Sequence, residues 1–180
     1  MANQCEHQMN TNVTDEELQP KILIAYYTRS GNTEKIANQI KKLVGGDLFR
    51  IEVVNEYPTS YQDVLKISKV EIDNHYKPPI KSLVENLDQY DVVFVGTPNW
   101  YSTMAPPVAT FLSMHDLSEK TIIPFATHGG GGEARCLTDI RQMSSQATVL
   151  DGIALYGSQA GTEKERILKW LKKLETFNNL

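Results

Sequence analysis

The stretch "KILIAYYTRSGNTEKIANQIKKLV" (Lys21 to Val44) decides the fold. Lys21 to Tyr27 is an apolar, partly β-branched run that reads as a buried strand, and Thr33 to Val44 has the periodicity of a helix. Between them stands Thr28-Arg29-Ser30-Gly31-Asn32-Thr33, a turn carrying hydroxyls, an amide and a glycine. The start of a helix exposes free backbone N–H groups and the positive end of the helix dipole, so a polar turn placed there can hold an anion. A plain helix cap needs one short polar residue, such as Asn32 or Thr33. This turn offers several more, and a phosphate is the expected occupant. No G-x-G-x-x-G follows the strand and no Gly-Lys-Ser/Thr ends the turn, which disfavours a tightly held dinucleotide or a nucleoside triphosphate. A single phosphate monoester fits better.

Outward from this unit the chain alternates strand and helix. Strands are expected at 47–54, 91–97, 120–127 and within 148–157. Helices are expected at 60–76, from Pro106-Pro107 onward, at 133–143 and at 162–177. In the helix at 60–76, Tyr61, Val64, Leu65, Ile67 and Ile72 are expected near one stripe. Five strands alternating with helices predict a doubly wound α/β fold with a parallel sheet covered on both faces. Such sheets bind ligands beyond the carboxyl ends of their strands, so the loops to inspect are 28–33, 97–104 and 128–132.

Each of those loops is unusual. The second places Trp100 and Tyr101 directly after a buried strand, where large rings can stack on a flat ligand. The third, "THGGGGEAR" (127–135), has consecutive glycines that let backbone approach a ligand closely. In this order the three loops resemble those of flavodoxin and its flavodoxin-like relatives. "TRSGNT" matches the T-x-[ST]-G-x-T phosphate loop of that family at every defined position, and "GTPNWYSTMAPPV" (96–108) is similar to its second flavin-contact loop. "ATHGGGG" (126–132) is similar to the glycine-rich third loop of a bacterial subgroup.

The resemblance covers residues 21 to 177 and implies a five-stranded sheet of order 2-1-3-4-5 with one non-covalent FMN. Carried over by position, Thr28, Ser30, Gly31, Asn32 and Thr33 would hold the phosphate, with Arg29 as a cation beside it. Thr97, Pro98, Asn99, Trp100 and Tyr101 would line the ring and ribityl chain, with Trp100 the main ring contact. Gly129, Gly130 and Gly131 would face the far edge of the ring, and His128 is the candidate proton donor in that loop. The third loop lacks the stacking tyrosine of many flavodoxins, which implies that one face of the flavin is open.

Charge and composition bound the function. The chain has 180 residues, 41% of them apolar and 22% charged, and a net charge of −4. Residues 1–20 hold Glu6, Asp15, Glu16 and Glu17 with no Lys or Arg, so the remainder is formally neutral. They read as a polar, mobile tail ahead of one domain at 21–180. A neutral body offers no electrostatic footprint for nucleic acid. It also weakens the steering by which acidic carriers find basic redox partners. No apolar run reaches the roughly 20 residues of a membrane span, and no secretory signal pattern is present, so a cytoplasmic protein is expected. Cys5 and Cys136 share no metal or redox spacing, which suits a reducing compartment. The acidic cluster of a receiver domain is missing. Cys136 and Arg141 lack the spacing of a low-molecular-weight phosphatase loop.

An electron-transferring flavoprotein working with redox partner proteins or a small-molecule acceptor is the leading reading. An FMN-dependent NAD(P)H:quinone-type oxidoreductase is the alternative, and a flavin-free adaptor on the same fold is a third class.

Overall fold

The computed structural model describes residues 20–177, and the expected N-terminal tail lies outside them apart from Pro20. Strand β1 (Ile22–Tyr26) leads into α1 (Asn32–Val44), followed by β2 (Asp47–Arg50) and α2 (Tyr61–Asp73). Next come β3 (Val92–Trp100), a short β4 (Thr103–Met104) and α3 (Pro106–Met114). The chain continues through β5 (Thr121–His128), α4 (Cys136–Met143), β6 (Thr148–Val149), β7 (Ile153–Tyr156) and α5 (Lys164–Leu171). The main path of the sheet runs β2-β1-β3-β5-β6, with parallel pairing throughout, and β7 also pairs in parallel with β5. With β4 set aside as a hairpin partner of β3, and β6 and β7 counted as one interrupted strand, this is the expected order 2-1-3-4-5.

The interruption of the fifth strand has a local cause. Ile122 accepts a hydrogen bond from Leu150 N, so two residues later Pro124 faces the same neighbour without an N–H to offer. The register there gains a residue, from Ile122↔Val149 to Phe125↔Ile153, as in a bulge. Gly152 lies against the break: a Cβ on it would fall 2.4 Å from the carbonyl oxygen of Pro124.

Alternation along the buried strands feeds two cores. Ile24, Phe94, Ile123 and Phe125 meet Ile36 and Ile40 of α1 and Trp170 and Leu171 of α5. On the other face Leu23, Val93, Val95 and Ile122 pack with Phe111 of α3 and Ile140 of α4. Helix α2 joins neither cluster. Its buried residues are Val64 and Ser68, with Leu65 and Ile72 half-buried, while Tyr61 and Ile67 are exposed, so the stripe expected from the sequence is buried only in part. The strand expected at 47–54 stops at Arg50, and Val53 makes only an isolated antiparallel bridge with Ile80.

Gly152→Ala is expected to destabilise the protein by about 1–3 kcal/mol, because its new methyl meets backbone that cannot rotate away. Thermal unfolding checks this, with a fall in midpoint of several degrees expected for a chain of this size.

Candidate functional site

The parallel pairing brings the ends of β1, β3, β5 and β7 to one edge. A cleft of ≈ 540 Å³ opens there, within the range of small-molecule sites. The turn after β1 forms one end of it. Gly31 is the residue preceding α1 and takes the left-handed conformation, φ 81°. It accepts the helical bond from Lys35 N, and its own N–H donates to Thr28 Oγ1 at 3.0 Å. Among the described residues no side chain caps α1, so its first-turn N–H groups are left for another acceptor. Asn32 and Thr33 therefore do not act as plain caps. The Asn32 amide packs on the backbone of Gly157 beyond β7, where a Cβ would come within 2.7 Å of its nitrogen. The buried Thr33 hydroxyl bonds Thr127 Oγ1 at 2.9 Å, tying α1 to the end of β5.

Arg29 turns away from the helix. Its guanidinium donates to the carbonyl of Thr59 at 2.6 Å, just before the Ser60 cap of α2. Glu34, in the first turn of α1, accepts from Tyr26 Oη at 3.1 Å and lies 3.7 Å from Arg50. Burial, with the Glu34 bond, pushes the Tyr26 phenol up to about 12.

The second loop is more ordered than the sequence suggests. Strand β3 continues through Pro98 and Asn99 to Trp100, then returns as β4 through a turn at Tyr101 and Ser102. Both turn residues have positive φ, 48° and 67°, the geometry of a tight hairpin turn that glycine or asparagine usually fills. Trp100 stands edge-on to Tyr27 at 5.6 Å and to Tyr57 at 5.0 Å, so its ring orientation is set by packing. Tyr57 Oη donates to Glu71 Oε2. Burial raises both groups of that pair, and the hydrogen bond offsets part of the rise at Glu71.

On the opposite side His128 ends β5 and pairs in register with Tyr156 at the end of β7, their rings 4.5 Å apart. His128 Nδ1 accepts from Gly130 N at 3.2 Å, so the neutral ring carries its proton on Nε2. Helix α2 supplies a further wall through Tyr61, Val64, Leu65 and Ser68. Tyr101 Oη holds this helix by donating to Leu65 O at 3.0 Å.

Most of the residues singled out from sequence meet here. Thr28, Arg29, Ser30, Asn32 and Thr33 line one end, and Pro98, Asn99, Trp100 and Tyr101 line another side with His128 and Gly129 facing them. Gly31, Thr97, Gly130 and Gly131 do not line the cleft. Thr97 is fully buried behind it, accepting from Ala105 N at 2.9 Å and donating to Pro98 O. The sequence reading missed the α2 wall, Thr127, and the Tyr156-Gly157-Ser158 corner. "LYGS" (155–158), a tyrosine and glycine at a strand end, is the signal that could have marked the last of these.

A doubly wound sheet with an uncapped helix N-terminus and an aromatic-walled cleft defines a flavodoxin-like protein. The flavodoxin family profile matches residues 21–174, and the chain belongs to that family. A Bacteroides eggerthii protein described as a flavoprotein is 32% identical with a TM-score of 0.77, the match covering 86% of this chain and 98% of that one. A flavoprotein from Lactobacillus acidophilus, solved in complex with FMN, shares the fold at a TM-score of 0.67 and 21% identity, over 82% of this chain and 97% of its own. A relative from Brucella anthropi named NAD(P)H dehydrogenase (quinone) is 28% identical over 159 residues, 81% of this chain and 77% of that protein. The chain is an FMN-binding flavodoxin-like redox protein. The donor set fits that cofactor: hydroxyls and free N–H groups at one end for a phosphate, rings beyond for a flat heterocycle.

Removing one partner of the buried Thr33–Thr127 bond strands the other. Thr127→Val is expected to cost about 1–3 kcal/mol of stability, and the double variant with Thr33→Val less than the sum of the two single changes. Denaturant unfolding of the four proteins in the cycle measures the difference.

Proposed function

We propose that this protein is an electron carrier, passing electrons between redox partners through FMN held non-covalently in the cleft. The observation that carries the reading is the uncapped start of α1, opening onto a cleft walled by aromatic rings. Bound FMN supplies one- and two-electron transfer, and the chain supplies its position and surroundings. The N–H groups of the first turn of α1 and the side chains of Thr28, Ser30 and Asn32 would hold its phosphate, favoured by the helix dipole. Arg29 ties the turn to the start of α2 through one guanidinium N–H donated to Thr59 O. Trp100 offers a ring already fixed by Tyr27 and Tyr57. His128 presents Nε2–H as a hydrogen-bond donor. Thr97 and Thr127 act behind the surface, holding the loops in place.

A second reading is an NAD(P)H:quinone-type oxidoreductase. It draws support from the apolar α2 wall, which gives the cleft a surface suited to a flat organic acceptor, and from the names of the curated relatives. In that reaction NAD(P)H gives up a hydride and solvent one proton, and the quinone takes up the two electrons and two protons as it becomes the hydroquinone. Among the described residues no helix is long and apolar enough to cross a membrane. Cys136 is a buried free thiol, pushed up to about 12 chiefly by burial, which agrees with a reducing, cytoplasmic setting.

Titration of apoprotein with FMN is expected to quench flavin fluorescence at a single site. Riboflavin, which lacks the phosphate, is expected to bind at least roughly 100-fold more weakly, reflecting the loss of charge-assisted hydrogen bonds at the turn. Equal affinity for the two flavins overturns the phosphate assignment, and failure to bind either leaves the flavin-free adaptor. Holoprotein that accepts electrons from a reductase but does not oxidise NADH or NADPH in the presence of a quinone is the expected outcome. Rapid oxidation decides for the enzyme.

A further inference from the structure

We propose that Asn99 is the positioning residue of the flavin site: its carboxamide latches the β3–β4 hairpin to the glycine-rich third loop and orders both before FMN arrives. The proposal rests on the reading of this cleft as the FMN site. It assigns Asn99 a role distinct from direct contact with the ring or ribityl chain.

Asn99 Oδ1 accepts from Ser102 N at 3.0 Å, and Asn99 Nδ2 donates to Gly132 O at 2.9 Å. Both halves of the amide are used, one on each loop. An aspartate could make the first bond but not the second, and an apolar residue could make neither.

Each loop needs the help it receives. The hairpin turn places Tyr101 and Ser102 in the left-handed region without glycine or asparagine, so its conformation must be held from outside. Asn99 Oδ1 holds it at Ser102 N, Arg135 N donates to Ser102 O at 2.9 Å, and Tyr101 Oη donates to Leu65 O. The third loop has the opposite difficulty. Gly129 to Gly132 can adopt many conformations, and ordering them is entropically costly. Among the described residues, the hydrogen bonds made by these four glycines are Gly130 N to His128 Nδ1 and Asn99 Nδ2 to Gly132 O. The first spans only two residues and stays within the loop's own stem. The second is therefore the tie that fixes the loop against the rest of the site.

Order supplied in advance is order that the ligand does not have to impose, so FMN affinity follows the latch. The strain at Tyr101-Ser102 and the glycine run then serve one purpose. Two loops that would not hold their shape separately are locked together by one side chain.

The test uses the full chain as apoprotein. Asn99→Ala is expected to raise the FMN dissociation constant roughly 10–30-fold, from the loss of two hydrogen bonds. It is also expected to lower the backbone 15N order parameters of 129–132 in the absence of flavin. Asn99→Asp, which keeps the bond to Ser102, is expected to free the third loop while leaving amide hydrogen exchange at Ser102 as in the wild type. Gly131 has an ordinary φ, and a Cβ there would have Asn99 Nδ2 at 3.5 Å as its near neighbour. Adding Gly131→Ala to Asn99→Ala stiffens the loop without strain and is expected to recover at least twofold in FMN affinity. Wild-type order parameters at 129–132 in both Asn99 variants overturn the latch. Unchanged FMN affinity in Asn99→Ala, or no recovery with Gly131→Ala, overturns its role in preparing the site. Wild-type protein that fails to bind FMN counts against the function instead, and the order parameters measured on apoprotein still decide the latch.

Discussion

Everything at the functional edge depends on the level, parallel pairing of β1, β3 and β5. Tyr26, Gly96 and Phe125 stand in register across the three strands; β1 leaves the sheet at this level, while β3 and β5 run on together as far as Pro98 and Thr127. These strands are buried on both faces and held by two cores, leaving their carboxyl ends little freedom. The loops that follow can then afford unusual conformations, because their roots do not move. The buried Thr33–Thr127 hydrogen bond reinforces this by joining the first helix to the last residues of β5.

On that rigid base the site combines two kinds of element. The end proposed for the phosphate is built from backbone: a glycine in the left-handed region, an uncapped helix and short polar side chains. The ring end is side-chain packing, in which Tyr27 and Tyr57 fix Trp100, and the His128–Tyr156 pair faces it across the sheet edge. Helix α2, absent from both cores, is free to serve as a wall, held by Arg29 at its start and Tyr101 at its middle. A flavin site with such a wall is compatible with exchange of electrons with a protein at the open rim or with a flat acceptor inside it. The choice between carrier and enzyme therefore turns on kinetics.

The polar turn before α1 was legible because its geometry is local. A strand, a polar turn with glycine and a helix lie within one short segment, and nothing distant is needed to make the helix N-terminus an anion site. Trp100 and His128 were legible for a related reason, since each follows directly from a recognisable strand. Tyr156 was not, because a tyrosine ending a strand has no distinguishing neighbour until β7 pairs with β5 and sets it beside His128. The α2 wall was hidden by an amphipathic pattern that predicts a core-facing stripe, whereas the helix sits at the periphery with Tyr61 and Ile67 exposed. Arg29 reads in sequence as a cation beside the phosphate, and only the tertiary structure adds the bond from its guanidinium to Thr59 O.

The amino-acid sequence by itself determined the order of strands and helices, the two-sided burial of the sheet and the polar, glycine-containing turn that opens the first helix. Those properties follow from periodicity and from the free ends of a helix, which are local. Tertiary structure alone decided which polar groups in the loops face the cleft and which are consumed in holding it. Thr97, Thr33 and Asn99 have the same hydrogen-bonding capacity in any sequence, but the partners that claim it, Ala105, Thr127, Ser102 and Gly132, are set by how the strand ends and loops come together.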